Sequence, residues 1–210
     1  MGPMTAEIAT QVAYWKLSCG SGINSNILET GGFRDMTLED LGTRICILGP
    51  SNSGKSTLAV AIARKRGLSP IHLDQMQHRP CTDWQTRNEA EFLTLHDDAI
   101  AADRWVIDGN YSRYLPQRLE RATGMILLDV STGLSLVRYF HRCWFESERL
   151  GGLEGGKDSV KWMMIKHIAV TQRRGRKMNA ARFTTFTKPK ISLTTPQALA
   201  DFYSFEHLEW

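Results

Sequence analysis

The sequence predicts an α/β fold of three layers, a five-stranded parallel sheet with helices on both faces. Two observations predict it. Short β-branched runs alternate with helical stretches from Arg44 almost to the C-terminus. The first of those runs ends at a glycine-rich loop that opens directly into a helical stretch.

Arg44-Ile-Cys-Ile-Leu48 is short, β-branched and closed by glycine, so it reads as a buried strand. Ser56 to Arg66 reads as a helix, with Leu58, Ile62 and small alanines on one side. Pro70-Ile-His-Leu73 is a second strand ending at Asp74. Thr86 to Ala101 places Phe92, Leu95 and Ala99 at helical spacing, with Asp83 or Thr86 as the expected cap. Trp105-Val-Ile107 is a third strand, ending at Asp108-Gly109, and Tyr114 to Arg121 is a short helix. Met125-Ile-Leu-Leu128 is a fourth strand, ending at Asp129. A longer helix is expected from Gly133 to about Leu150, interrupted by the glycine-rich stretch Gly151–Gly156, and another from roughly Val160 to Arg174. Ile191-Ser-Leu193 is the last strand, and Thr195-Pro196 supplies a cap and a first-turn proline for the last helix. Right-handed crossovers bring the C-terminal strand ends to one edge, where ligands bind in such sheets. The glycine loop, Asp74, Asp108 and Asp129 all fall on that edge.

Residues 1–35 stand apart. From Ser18 to Gly32 they are mostly Ser, Gly, Asn and Thr, which reads as a disordered N-terminal extension ahead of one domain, 36–210. With 210 residues and 42% hydrophobic content the chain can build a substantial core. A formal charge of +4 is too small for the basic footprint of a nucleic-acid binder, so nucleic acid is not an expected partner. Cys19, Cys46, Cys81 and Cys143 are scattered without Cys-x-x-Cys spacing, so a reduced, cytoplasmic protein is expected and a zinc site is not. No apolar run has the length of a membrane span, and the N-terminus lacks the pattern of a signal peptide. Oligomeric state is not legible.

The loop Gly49-Pro50-Ser51-Asn52-Ser53-Gly54-Lys55-Ser56-Thr57 has Walker A spacing in the right context, with a strand before it and a helix after it. Glycines let such a P-loop curl its N–H groups inward onto phosphate oxygens, and the helix adds its positive end. ATP and Mg²⁺ are the expected ligands, with Lys55 reaching the outer phosphates and the Ser56 hydroxyl reaching the metal.

Asp108, beside the P-loop in the usual strand order, is expected to orient Mg²⁺-bound water or the attacking hydroxyl. Asp74 is expected to hold the acceptor, and Arg113 to grip an acceptor phosphate or carboxylate. Asp129 reads as structural, and the six histidines show no metal or catalytic spacing. Arg138, Arg142 and Arg149 fall within about 40° of one another on a continuous helix, an arrangement that repels itself without an anion. With the glycine stretch as hinge they predict a lid, about 138–178, that closes catalytic Arg138 and Arg142 over the transferring group. Arg173, Arg174, Arg176 and Lys177 form a second basic cluster that can face phosphate, lie as a plain surface patch or make a weak nucleic-acid contact.

Gly49–Thr57, Ile71-His-Leu-Asp74 with Arg79-Pro80 and Trp84, and Trp105-Val-Ile-Asp-Gly-Asn-Tyr-Ser112 together resemble the topology-modulation-protein group, small P-loop kinases similar to adenylate and shikimate kinases. The resemblance runs from about Arg44 to Phe205. It implies a five-stranded parallel P-loop NTPase core, an acceptor region and an arginine lid. Asp108-Gly109 resembles the Asp-Gly of adenylate kinases, but Arg113 lies five residues on rather than four and Ser112 stands in place of a proline. Asp74 occupies a place like the acceptor-binding Asp of shikimate kinase. The expected activity is transfer of the γ-phosphoryl group of ATP to a small acceptor, either a nucleoside monophosphate or a hydroxy compound. The alternative is a regulatory ATP-binding module that contacts protein or nucleic acid.

Overall fold

The computed structural model describes residues 36–80, 82, 85–145 and 172–209, with the side chains of 141–145 and 172–173 left aside. The elements are β1 (Arg44–Leu48), α1 (Lys55–Arg66), β2 (Pro70–His72), α2 (Leu73–Gln77), α3 (Glu89–Ala101), β3 (Trp105–Asp108), α4 (Leu115–Arg121), β4 (Gly124–Leu128), α5 (Thr132–Phe145), α6 (Gln172–Thr185), β5 (Lys190–Leu193) and α7 (Pro196–Phe205). The strands form one sheet in the order β2-β3-β1-β4-β5, and every pair is parallel. β1 is therefore the central strand, and the residues that follow it stand between those that follow β3 and β4.

Side chains alternate across a strand, and here the alternation builds both outer layers. Ile45 and Ile47 of β1 face one side, in a core shared with Leu58 and Ile62 of α1 and Leu199 and Phe202 of α7. Cys46 and Leu48 face the other side, with Phe92 and Ile100 of α3 and Leu115 of α4. Each such aliphatic side chain contributes about 1.5–3 kcal/mol by leaving water, which is why a five-residue strand suffices as the keel of the fold. The chain is thus a three-layer α/β P-loop fold.

Thr195 caps α7 by accepting from the Ala198 N–H at 3.0 Å, as its sequence predicts. Three boundaries differ from expectation. The cap of α3 is Asn88, whose side chain accepts from the Glu91 N–H at 2.8 Å, so the helix begins later than Thr86 and neither Asp83 nor Thr86 caps it. β2 stops at His72, and Leu73 already opens α2, so Asp74 sits in a first helical turn rather than at a strand end. A helix spans Gln172–Thr185, past Arg174 where the sequence reading ends its helix, and the start expected near Val160 lies outside the described residues. The N-terminal extension, the Gly151–Gly156 hinge, Arg149 and Trp84 lie outside the described residues.

Candidate functional site

The loop after β1 has the backbone that phosphate binding needs. Asn52 has φ 59° and Gly54 φ 95°, so the chain reverses into the left-handed region twice before the helix begins. The first intrahelical bond runs from the Leu58 N–H to the Gly54 carbonyl. The N–H groups of Lys55, Ser56 and Thr57 precede it, and Gly54 offers them no side-chain cap. That is an anion seat at the positive end of a twelve-residue helix. Gly49 is required for space: a Cβ there would lie 2.4 Å from the Leu128 carbonyl oxygen. The Ser53 hydroxyl is fully buried with no hydrogen-bond partner among the described residues. Lys55 Nζ donates to the Pro50 carbonyl at 2.7 Å, which folds the ammonium back across the loop.

Asp108 stands beside this loop. β3 pairs with β1 in a register that sets Asp108 opposite Ile47, and its Oδ2 accepts from Ser56 Oγ at 2.7 Å. Its Oδ1 meets His72 Nδ1 at 2.6 Å, because β2 sets His72 opposite Asp108. Burial alone would raise the carboxyl's pKa. The hydrogen bond and electrostatic attraction of His72, the charge of Lys55 and the Ser56 hydroxyl outweigh it and hold Asp108 below the usual carboxylate range. His72 carries no sequence signal of its own, since its partner is 36 positions away on another strand. The available signal was topological: two strand ends at the same level of adjacent strands. Partners that hold a metal-binding carboxylate typically cost about 10–100-fold in activity when removed. His72→Ala is expected to fall in that range. His72→Asn, whose amide N–H can replace Nδ1–H, is expected to recover most of the loss in steady-state turnover. Equal rates for His72→Ala and wild type would remove His72 from the site.

On the β2 side, Asp74 accepts from the Tyr111 hydroxyl at 2.9 Å. Tyr111 has φ 34°, an uncommon conformation for a bulky residue, and its ring stacks on Phe92 at 5.4 Å. Phe92 also meets Tyr114 at 5.0 Å, which makes an aromatic wall between α3 and the loop after β3. Arg113 is exposed, pairs with Glu89 at 2.8 Å and lies over the Tyr114 ring, 5.8 Å from its centroid. Asp129 is held by Arg176 of α6 at 2.5 Å.

Arg138 of α5 lies against the P-loop, with Nη1 donating to the Ser53 carbonyl at 3.1 Å. Arg142 belongs to the same helix, and its side chain lies outside the described residues. From α6, Arg176 reaches Asp129, Asn179 reaches Asn110, and Arg182 reaches Ser112 at 3.2 Å. Arg176 and Arg182 thus face the strand-end edge and not an outer basic patch. Asn110, which the sequence reading does not single out, clamps Gly49 at both its N–H and its carbonyl.

The donor set suits a hard cation. A hydroxyl and a carboxylate 2.7 Å apart, beside the glycine-rich loop, offer the one or two protein oxygens that Mg²⁺ takes when phosphates and waters complete its shell. No cluster of three or more His, Cys, Asp or Glu side chains occurs among the described residues, so an all-protein metal cage is not built there. No described helix is long and apolar enough to cross a membrane.

No family model matches the chain, and no curated protein matches it significantly. Among solved structures, a gluconokinase from Sinorhizobium meliloti 1021 is similar at 17% identity and a TM-score of 0.45, over 80% of this chain and 95% of that one. A shikimate kinase from Bacteroides thetaiotaomicron is similar at 18% identity and a TM-score of 0.45, over 79% and 96%. The fold rests on the sheet order and the loop geometry described above and not on these likenesses.

Proposed function

We propose that this protein is an ATP-dependent phosphotransferase that moves the γ-phosphoryl group of ATP to a small acceptor, a nucleoside monophosphate or a small hydroxy compound. The observation that carries the proposal is Asp108. A buried carboxylate kept ionised, bonded to the P-loop hydroxyl of Ser56, fits a group that manages charge on a bound triphosphate. Bound at Ser56 and Asp108, Mg²⁺ would neutralise charge on the outer phosphates.

Phosphoryl transfer forms a bond from an acceptor oxygen to the γ-phosphorus and breaks the bond to the ADP oxygen. Little covalent chemistry falls to the protein, so its work is positioning and electrostatics. In this reading the P-loop N–H groups hold the donor phosphates. Lys55 and Arg138 meet the charge spread over the transferring oxygens, with Arg142 one turn further along α5. Asp74, held by Tyr111 and walled by the aromatic group, orients the acceptor. Arg113 contributes only by leaving Glu89.

The test is ADP release from ATP and Mg²⁺ with a panel of nucleoside monophosphates and small hydroxy compounds. Stimulation by one class is expected, with equimolar phosphorylated acceptor. ATP binding that no acceptor accelerates, together with salt-sensitive binding of DNA or RNA, would replace the kinase reading with the regulatory module.

A further inference from the structure

The geometry points to Asn110 as a positioning residue that sets the shape of the phosphate loop and ties it to helix α6, so that nucleotide binding and the seating of α6 are linked. The inference rests on the nucleotide-binding reading of the P-loop and deepens it.

Gly49 is the weak point of the loop. It has no Cβ because the Leu128 carbonyl packs where one would be, and a glycine's backbone is correspondingly free. Yet the direction of its peptide groups determines how the following N–H groups curl. The Asn110 side chain supplies the missing constraint. Its Oδ1 accepts from the Gly49 N–H at 3.2 Å, and its Nδ2 donates to the Gly49 carbonyl at 2.8 Å. A side-chain amide here copies a backbone pairing and stops either peptide from turning over. Donor and acceptor roles agree at every contact, so the orientation of the amide is determined by its partners.

Asn110 is itself held from below. Arg118 of α4, fully buried, donates to the carbonyls of Gly109 and Asn110 at 2.9 Å each. The remaining lone pair of Oδ1 goes to α6, where the buried Asn179 donates from Nδ2 at 3.1 Å. One oxygen thus accepts from the P-loop and from α6 together. A shift of the Gly49 peptide changes the bond that seats α6, and the reverse holds with equal free energy.

The experiment compares wild type, Asn110→Ala, Asn179→Ala and the double variant in the full chain. ATP affinity is read by titration calorimetry, and hydrogen exchange is read over residues 172–185 with and without ATP. Asn110→Ala is expected to weaken ATP by about tenfold, the scale of a few lost hydrogen bonds to a loop held for binding. Asn179→Ala should weaken it less, and the double variant should be no worse than Asn110→Ala. ATP should slow exchange in α6 of the wild type and not of Asn110→Ala, an effect that general loosening would not produce. ATP affinity within about twofold of wild type in a folded Asn110→Ala, or additive losses in the double variant, overturns the inference. If Asn110→Ala does not fold, Asn179→Ala decides alone: an unchanged α6 response to ATP overturns it. Wild type that binds no ATP would sink the P-loop reading. Nucleotide-free exchange then tests the tie itself, with faster α6 exchange in Asn110→Ala supporting it and equal exchange overturning it.

Discussion

Asp108→Asn is expected to lower acceptor-dependent turnover by about 10²–10⁴-fold with the protein still folded. The substitution keeps the size of the side chain and one oxygen that His72 Nδ1–H can reach. What it removes is the charge and the acceptor toward Ser56 Oγ, now 2.7 Å from an amide in place of a carboxylate oxygen. Asp108→Ala is the informative contrast, because it also strands His72 Nδ1 in a buried position, at a further cost of about 1–3 kcal/mol of stability. Melting curves should therefore separate the two variants, while ADP release should not. The acid limb follows from the same contacts. A carboxyl whose folded pKa lies below its unfolded value contributes stability above the unfolded value, and loses it as pH falls through the folded one. Near-normal turnover in Asp108→Asn would reduce Asp108 to a cap of the turn that follows β3.

Lys55→Ala is expected to cost about 10²–10³-fold in turnover, the scale seen when one preorganised cationic or N–H donor is removed from a developing oxyanion. Lys55 is only partly buried, and its bond to the Pro50 carbonyl is local, so the fold should tolerate the change. Lys55→Arg is expected to rescue little. A planar fork cannot take the place of a compact ammonium in a loop whose first glycine packs so closely on the Leu128 carbonyl, at the end of β4, that not even a Cβ fits. Initial rates at saturating ATP, with binding measured separately, check both variants. Undiminished rates in Lys55→Ala would sink the phosphotransferase reading outright.

Most of the fold was legible because its signals are local. β-branched runs, the Walker A spacing and the Thr195-Pro196 cap each lie within a few residues of what they specify. So was the place of Asp108 beside the glycine-rich loop, since parallel strands deliver both to one edge. The lost detail was non-local or a competition between near-equal local signals. His72 becomes meaningful only through the β2–β3 register, which no spacing in the sequence encodes. Asn88 won the α3 cap over Thr86 because its side chain bonds both the N–H and the carboxylate of Glu91. Leu73 and Asp74 left the strand because the chain turns into α2 as soon as His72 has met Asp108. Asn110 sits beside Asp108-Gly109 with no local signal of its own, and its task is set by Gly49, 61 positions earlier.

The order of the strands distributes the two halves of this site unequally. The donor half hangs from β1 and β3, interior strands paired on both sides. Asp74 follows β2, a three-residue strand that pairs with β3 alone among the described residues. Rim strands open at lower free energy than interior ones. Under gentle warming or mild denaturant the protein should forget its acceptor before it forgets ATP, passing through a state that still holds nucleotide but no longer recognises what to do with it.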